Sequence, residues 1–210
     1  MDIIDPAIDL YLRELASPAD PVLREMELLG AERRLPIVGP QVGRLLQLLA
    51  RTISAHRVLE LGSGFGYSAY WFARAVGPEG EVVLTEQSAE RAAEAEDFLE
   101  RGGFSDRVHI EVGDALEIVE RIGGEFDIVF NDVDKDRYPL VMDRAAAALR
   151  PGGLLISDNM LWLGTVLEPD PTESTTRGVK ELTRMLYESE DFRTVMIPMR
   201  DGVTVSIYGG

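Results

Sequence analysis

The 210-residue chain carries 21 Lys+Arg against 37 Asp+Glu, a net charge of −16 that opposes non-specific binding to nucleic acid or anionic lipid. With 45% hydrophobic and 28% charged residues, it suits one globular domain with a sizeable core rather than disorder. The absence of cysteine, with His56 and His109 as the only histidines, excludes a disulfide framework, thiol chemistry and a multi-histidine metal site, so any ion must be held by oxygen. Residues 1–6 have no basic start and no apolar run, and nothing approaches the roughly 18 apolar residues of a membrane span, so a cytoplasmic protein is expected.

Residues 5–29 predict two short helices broken at Ser17-Pro18-Ala19-Asp20-Pro21, and Gly39 to Thr52 predicts a third, with apolar Val42, Leu45, Leu46, Leu48 and Leu49. Strands and helices then alternate. Strands are expected at 57–61, 81–85, 108–112, 126–130 and 154–157; helices at 67–76, 88–101, 114–122, 137–149 and 174–189. Arg150-Pro151-Gly152-Gly153 reads as a sharp stop before the fifth strand. Two last strands, 193–197 and 203–207, are joined through Pro198-Met199-Arg200-Asp201-Gly202, a hairpin signal. This pattern predicts an α/β fold with a seven-stranded, mostly parallel sheet, an antiparallel C-terminal hairpin and helices on both faces. One domain over 1–210 is expected, with N-terminal helices in 1–52 and the α/β core in 53–210. Ligands of such sheets bind beyond the carboxyl ends of the strands, where strand order reverses.

Two groups of residues fall at those ends. Glu60-Leu61-Gly62-Ser63-Gly64-Phe65-Gly66 follows the first strand: glycines permit close backbone approach, and the helix behind them offers free N–H groups. Glu86, one strand later, stands where a carboxylate grips a ribose diol. A tight turn in an unrelated α/β protein would also use such glycines. The second group is Asp132-Val133-Asp134-Lys135 after the fourth strand and Asp158-Asn159 after the fifth. Asp132, Asp158 and Asn159 can converge as two carboxylates and an amide oxygen, a reasonable shell for Mg²⁺. The bland alternative is that they cap helices and solvate loops.

Together these residues resemble the cation-dependent O-methyltransferases, the family that includes catechol and caffeoyl-CoA O-methyltransferases. The similarity runs over nearly the whole chain: Tyr11-Leu12-Arg13-Glu14-Leu15, Val58-Leu59-Glu60-Leu61-Gly62 with Gly66-Tyr67-Ser68, Asp132-Val133-Asp134-Lys135 with Tyr138, Asp158-Asn159-Met160-Leu161-Trp162, and Asp201-Gly202-Val203-Thr204. The resemblance implies a Rossmann-like class I methyltransferase fold, with Asp132, Asp158 and Asn159 ligating Mg²⁺ (or Ca²⁺ or Mn²⁺) and Lys135 as catalytic base. It implies S-adenosylmethionine contacts from Val38, Glu60, Gly62, Ser63, Ser68, Glu86, Ala115 and Asp134. Leu163 stands where the caffeoyl-CoA branch usually has a substrate-holding Asn, and Asn131 and Val133 also depart from the usual pattern, without touching a ligand position.

The expected reaction is Mg²⁺-dependent methyl transfer to a small catechol-like phenolic substrate, by a homodimer with no membrane or nucleic-acid partner. A tRNA hydroxyuridine O-methyltransferase and an inactive binding module are the alternatives. Arg33, Arg34, Arg44, Arg51 and Arg57 form a local basic run that could serve an anionic substrate or RNA, though a solvated helix face or a subunit contact is the favoured reading. Trp162 could wall a planar substrate or pack in the core. His56 and His109 read as structural.

Overall fold

The computed structural model describes residues 3–209; the outermost residues of the expected domain range, 1, 2 and 210, lie outside it. Three helices open the chain: α1 (Pro6–Ala16), α2 (Pro21–Arg33) and α3 (Gly39–Thr52). Asp5 and Asp20 cap the first two by accepting backbone N–H bonds, each with proline at the first helical position, where no N–H is needed. The core then runs β1 (Arg57–Leu61), α4 (Tyr67–Val76), β2 (Glu81–Glu86), α5 (Ala89–Arg101), β3 (Val108–Val112), α6 (Ala115–Ile122), β4 (Phe126–Asn131), α7 (Val141–Ala148), β5 (Leu149–Ser157), α8 (Ser174–Glu188), β6 (Phe192–Ile197) and β7 (Val203–Tyr208).

The seven strands form one sheet in the order β3-β2-β1-β4-β5-β7-β6, parallel from β3 to β5 and antiparallel across β5-β7-β6. Strand order reverses between β1 and β4, which places the crevice of the fold beyond Leu61 and Asn131. Successive strand residues alternate between faces. Val58, Val82, Leu84, Ile128 and Phe130 pack in a core with α3, α4 and α5, while Leu59, Leu61, Val83 and Val129 pack in a second core with α6, α7 and α8. No helix among the described residues is long and apolar enough to cross a membrane.

The structure corrects two expected elements. The helix expected over 137–149 starts as a 3₁₀ turn at Lys135–Leu140, becomes α-helical only at α7, and yields Leu149 to β5. Pro139 lies inside that turn and cannot donate to an α-helical ladder. Arg150-Pro151-Gly152-Gly153 is not a stop ahead of the strand but an irregular stretch within β5, where the β4–β5 register shifts between Phe126 and Ile128. Arg150 fastens it by donating from Nε to Asp127 at 2.6 Å.

Candidate active site

A cleft of about 1100 Å³ opens over the carboxyl ends of the parallel strands. Gly62, Ser63, Gly64 and Glu86 line one side, and Asp132, Asp134, Lys135, Asp158, Asn159 and Trp162 the other, with Ala115, the first residue of α6, also on the lining. Most of the sequence-derived candidates therefore share one space.

The glycine loop is held from beneath. Alternation along β1 turns Glu60 toward α4, where it is fully buried and accepts bonds from Ser63 Oγ at 2.8 Å and from Ser68 Oγ on the first turn of α4. Burial pushes its carboxyl up to about 8, against the smaller downward pull of the two serine hydroxyls. Glu60 and Ser68 thus stand behind the loop and shape it. Gly62 adopts a left-handed φ of +82°, and its N–H donates to Thr85 Oγ1 at 3.0 Å. A Cβ at Gly62 would lie 2.8 Å from the Asp132 carbonyl, so only glycine lets the loops after β1 and β4 meet this closely. Glu86 receives the N–H groups of Gly64 at 2.9 Å and Ser88 at 2.8 Å, one on each oxygen, which fixes its carboxylate at the cleft wall. Val38 is buried at the start of α3 and lines a neighbouring, smaller cleft.

Across the crevice, Asp132 follows β4 and accepts from Lys135 Nζ at 2.6 Å, while Nζ also donates to the Val133 carbonyl at 3.3 Å. Lys135 is only 8% exposed, and its ammonium lies 5.0 Å from the Tyr138 ring and 5.8 Å from the Trp162 ring. Trp162 lines the cleft and also packs against the second core. Asp158 follows β5 and is buried; its carbonyl is held by Tyr138 OH at 2.8 Å. Burial, then the neighbouring Asp132 charge, drives the Asp158 carboxyl upward; burial also raises Asp132, against the pull of Lys135. A buried Asp158 beside a half-buried Asp132, with the Lys135 ammonium bonded to Asp132, is an environment that a further cation would relieve.

Asn159 sits in the left-handed region at φ 55°, a conformation asparagine tolerates better than most residues. Its Nδ2 donates to Asp201 Oδ2 at 3.3 Å, which leaves the amide oxygen available as a ligand. The donor set of Asp132, Asp158 and Asn159 fits a hard divalent cation by chemistry: two carboxylates and one neutral oxygen. No trio of His, Cys, Asp or Glu alone forms such a group among the described residues.

Three contributors carry no assigned role in the sequence reading. Asp201 receives the Leu163 N–H at 2.6 Å as well as Asn159, Tyr138 fastens the Asp158 backbone, and Thr85 ties β2 to the glycine loop. Tyr138 and Asp201 belong to the quoted motifs; Thr85 has no sequence signal beyond its place at the end of β2. The basic run is largely spoken for: Arg33 pairs with Glu94, Arg57 with Glu81, Arg44 binds the Ala16 carbonyl and Arg51 the Arg74 carbonyl. His56 and His109 are exposed, away from the cleft, with the His56 N–H on Asp127.

A family model described as O-methyltransferase matches residues 14–207. A catechol O-methyltransferase of Niastella koreensis is 35% identical over 97% of this chain and 94% of its own length. A catechol O-methyltransferase of Mycobacterium tuberculosis is 37% identical over 77% of this chain and 75% of its own. The O-methyltransferase TomG of Streptomyces achromogenes, solved in complex with S-adenosylmethionine, superposes with a TM-score of 0.89 at 32% identity, covering 97% of this chain and 96% of that one. The glycine loop beside Glu86, the acidic loops opposite and a likeness that spans the whole fold lead to one assignment: the chain belongs to the O-methyltransferase family, S-adenosylmethionine-dependent enzymes of the class I methyltransferase fold.

Proposed function

We propose that this enzyme methylates one hydroxyl of a compact ortho-dihydroxy aromatic and that Asp132, Asp158 and Asn159 hold a divalent cation, Mg²⁺ by preference, for that purpose. The observation that carries the reading is the convergence of those three side chains and Lys135 on one wall of the cleft, opposite the glycine loop. The similarity to two catechol O-methyltransferases supports the substrate class.

Methyl transfer from a sulfonium is an in-line displacement, so the chain's first task is alignment. Glu86 is positioned to accept the ribose hydroxyls of S-adenosylmethionine, Gly62, Ser63 and Gly64 to receive its amino-acid end, and Ala115 and Asp134 to border the far end of the cleft. A bound divalent cation supplies positive charge that favours the oxyanion form of a phenol. Lys135 Nζ, buried beside Asp132 and under Trp162, is positioned to take the phenolic proton. It can do so only in its neutral form, after one ammonium proton has passed to solvent, and Nζ then takes the phenolic proton as the oxygen attacks the methyl group. Trp162 offers a face for a planar ring and helps keep water from Nζ.

The test compares kcat/KM for a catechol with that of its mono-hydroxy analogue at saturating Mg²⁺. Two oxygens fix the acceptor in one orientation, and the diol should win by at least about tenfold, roughly 1.4 kcal/mol of transition-state binding. Equal values would remove the ortho-dihydroxy class, and full turnover in excess EDTA would remove the cation.

A further inference from the structure

Beside the main cleft lies a smaller one of about 480 Å³ that shares Asp158, Asn159 and Ile37 with it. An acceptor anchored near Asp158 and Asn159 would project its other end into this space. Ile4, Leu10 and Leu163 give it apolar walls, and its only cationic side chains among the described residues are Arg13, from α1, and Arg200, from the β6–β7 loop.

Arg200 is held in place by three features. It occupies the left-handed region at φ 51°, an uncommon conformation for arginine. Its Nη1 donates to the Ile37 carbonyl at 2.9 Å. Its guanidinium lies against Gly39, where any Cβ would collide with Nη1. One N–H of the fork is thereby used and four others remain.

Among the described residues, none of the three carboxylates of this cleft forms an ion pair with either arginine, and Asp158 feels Arg200 only as a through-space charge that favours its ionised form. Asp201 is occupied by the Leu163 N–H and Asn159, and Asp9 Oδ1 by Gln41 at 3.1 Å. Among the described residues, neither Arg13 nor Arg200 forms an ion pair, whereas Arg33, Arg57, Arg137 and Arg150 all do. A guanidinium fixed at the wall of a pocket that mixes apolar and acidic side chains, with one N–H bonded to Ile37 and no carboxylate paired to it, has the geometry to bind an incoming carboxylate through paired N–H bonds.

We infer that Arg200, assisted by Arg13, is a specificity-determining residue that selects acceptors bearing a carboxylate, so that the preferred substrate is an ortho-dihydroxy aromatic acid rather than a neutral catechol. The inference rests on the proposed function, because it takes this cleft as the acceptor's.

The experiment measures kcat/KM for 3,4-dihydroxycinnamate and for the corresponding neutral alcohol, in the parent enzyme and in Arg200→Gln, Arg200→Lys and Arg13→Gln. The parent should favour the acid by at least about tenfold; Arg200→Gln should erase most of that ratio through KM, Arg200→Lys should keep part of it, and Arg13→Gln should lower it less. A ratio within one preparation does not depend on the folded fraction, and Arg13 is exposed, so its variant tests the idea even if the Arg200 loop is disturbed. Calorimetric titration of the free acid into parent and Arg200→Gln should show the same loss in binding. A parent ratio near one, a ratio unmoved by Arg200→Gln, or better use of the acid's CoA thioester than of the acid would overturn the inference and leave ortho-diol methylation standing. Failure to methylate either diol would overturn both.

Discussion

Glu60 shows how much a single buried carboxyl can carry. Its folded form holds the proton up to about pH 8, while in the unfolded chain it ionises near 4.5. Below 4.5 both states are protonated and the residue is neutral to stability. Between those values the unfolded state loses its proton first, so rising pH favours unfolding, and above about 8 the loss is complete. Glu60→Gln should therefore be more stable than the parent by a margin that widens across that window to the order of a few kcal/mol. Urea midpoints of both proteins against pH would check this, and a margin independent of pH would contradict it. Lys135 makes a different prediction. If Lys135 is the base proposed above, Lys135→Ala should lower kcat by roughly 10²–10⁴-fold while calorimetry finds S-adenosylmethionine affinity nearly unchanged, because only the acceptor's proton depends on it. Unaltered kcat would hand that proton to solvent. These residues were legible because their chemistry is written in type and place: an acid ending a strand, and one of two lysines after another. Ser63 and Ser68 are expected from sequence as cofactor contacts and Tyr138 only as part of a motif; that the serines hold the Glu60 carboxyl and Tyr138 the Asp158 carbonyl depends on side-chain orientation, which residue type and spacing do not state.

At the scale of elements, strands and most helices follow from periodicity, whereas the stretches at the site break it. The 3₁₀ turn at Lys135–Leu140 and another at Trp162–Leu167 arise where Pro139 and left-handed Trp162, Leu163 and Gly164 depart from regular backbone, and tertiary contacts choose their form. The glycine after β1 was legible as a turn, but not as the seat of Asp132. That contact can be tested. Gly62→Ala must push against the Asp132 carbonyl, so it should weaken cofactor and cation binding together, each by at least about tenfold. Gly64 also has a positive φ, +60°, yet no atom lies within 4 Å of where its Cβ would be. Gly64→Ala should strain only its own loop and leave Mg²⁺ affinity within about twofold of the parent. If both substitutions spare cation affinity, measured by calorimetry, the two loops are not mechanically joined.

For the whole molecule, charge and surface set the behaviour that a folded sheet cannot. Ile8, Leu12 and Leu15 form an exposed apolar stripe along α1, the candidate face for the homodimer expected from sequence. Sedimentation should give twice the 23.2 kDa chain mass, and Leu12→Glu should give the single chain. The net charge of −16 means that any added salt relieves some self-repulsion, so stabilisation by Mg²⁺ has a non-specific part and a site-specific part. The two separate cleanly. A cation bound to the folded state alone stabilises it by RT ln(1 + [L]/Kd), about 2.7 kcal/mol at a hundred times Kd. For a domain of this length that corresponds to a rise in Tm of roughly 5–10 °C. Sodium chloride at equal ionic strength reports the screening part, and Asp158→Ala removes a buried carboxylate, the proposed ligand, while leaving the surface charge almost as it was. The parent should gain those degrees in Mg²⁺ beyond its gain in sodium chloride, and Asp158→Ala should respond to the two salts alike. An Asp158→Ala protein that keeps the Mg²⁺-specific rise would place the cation elsewhere and return Asp158 to a buried acid with no ion to hold.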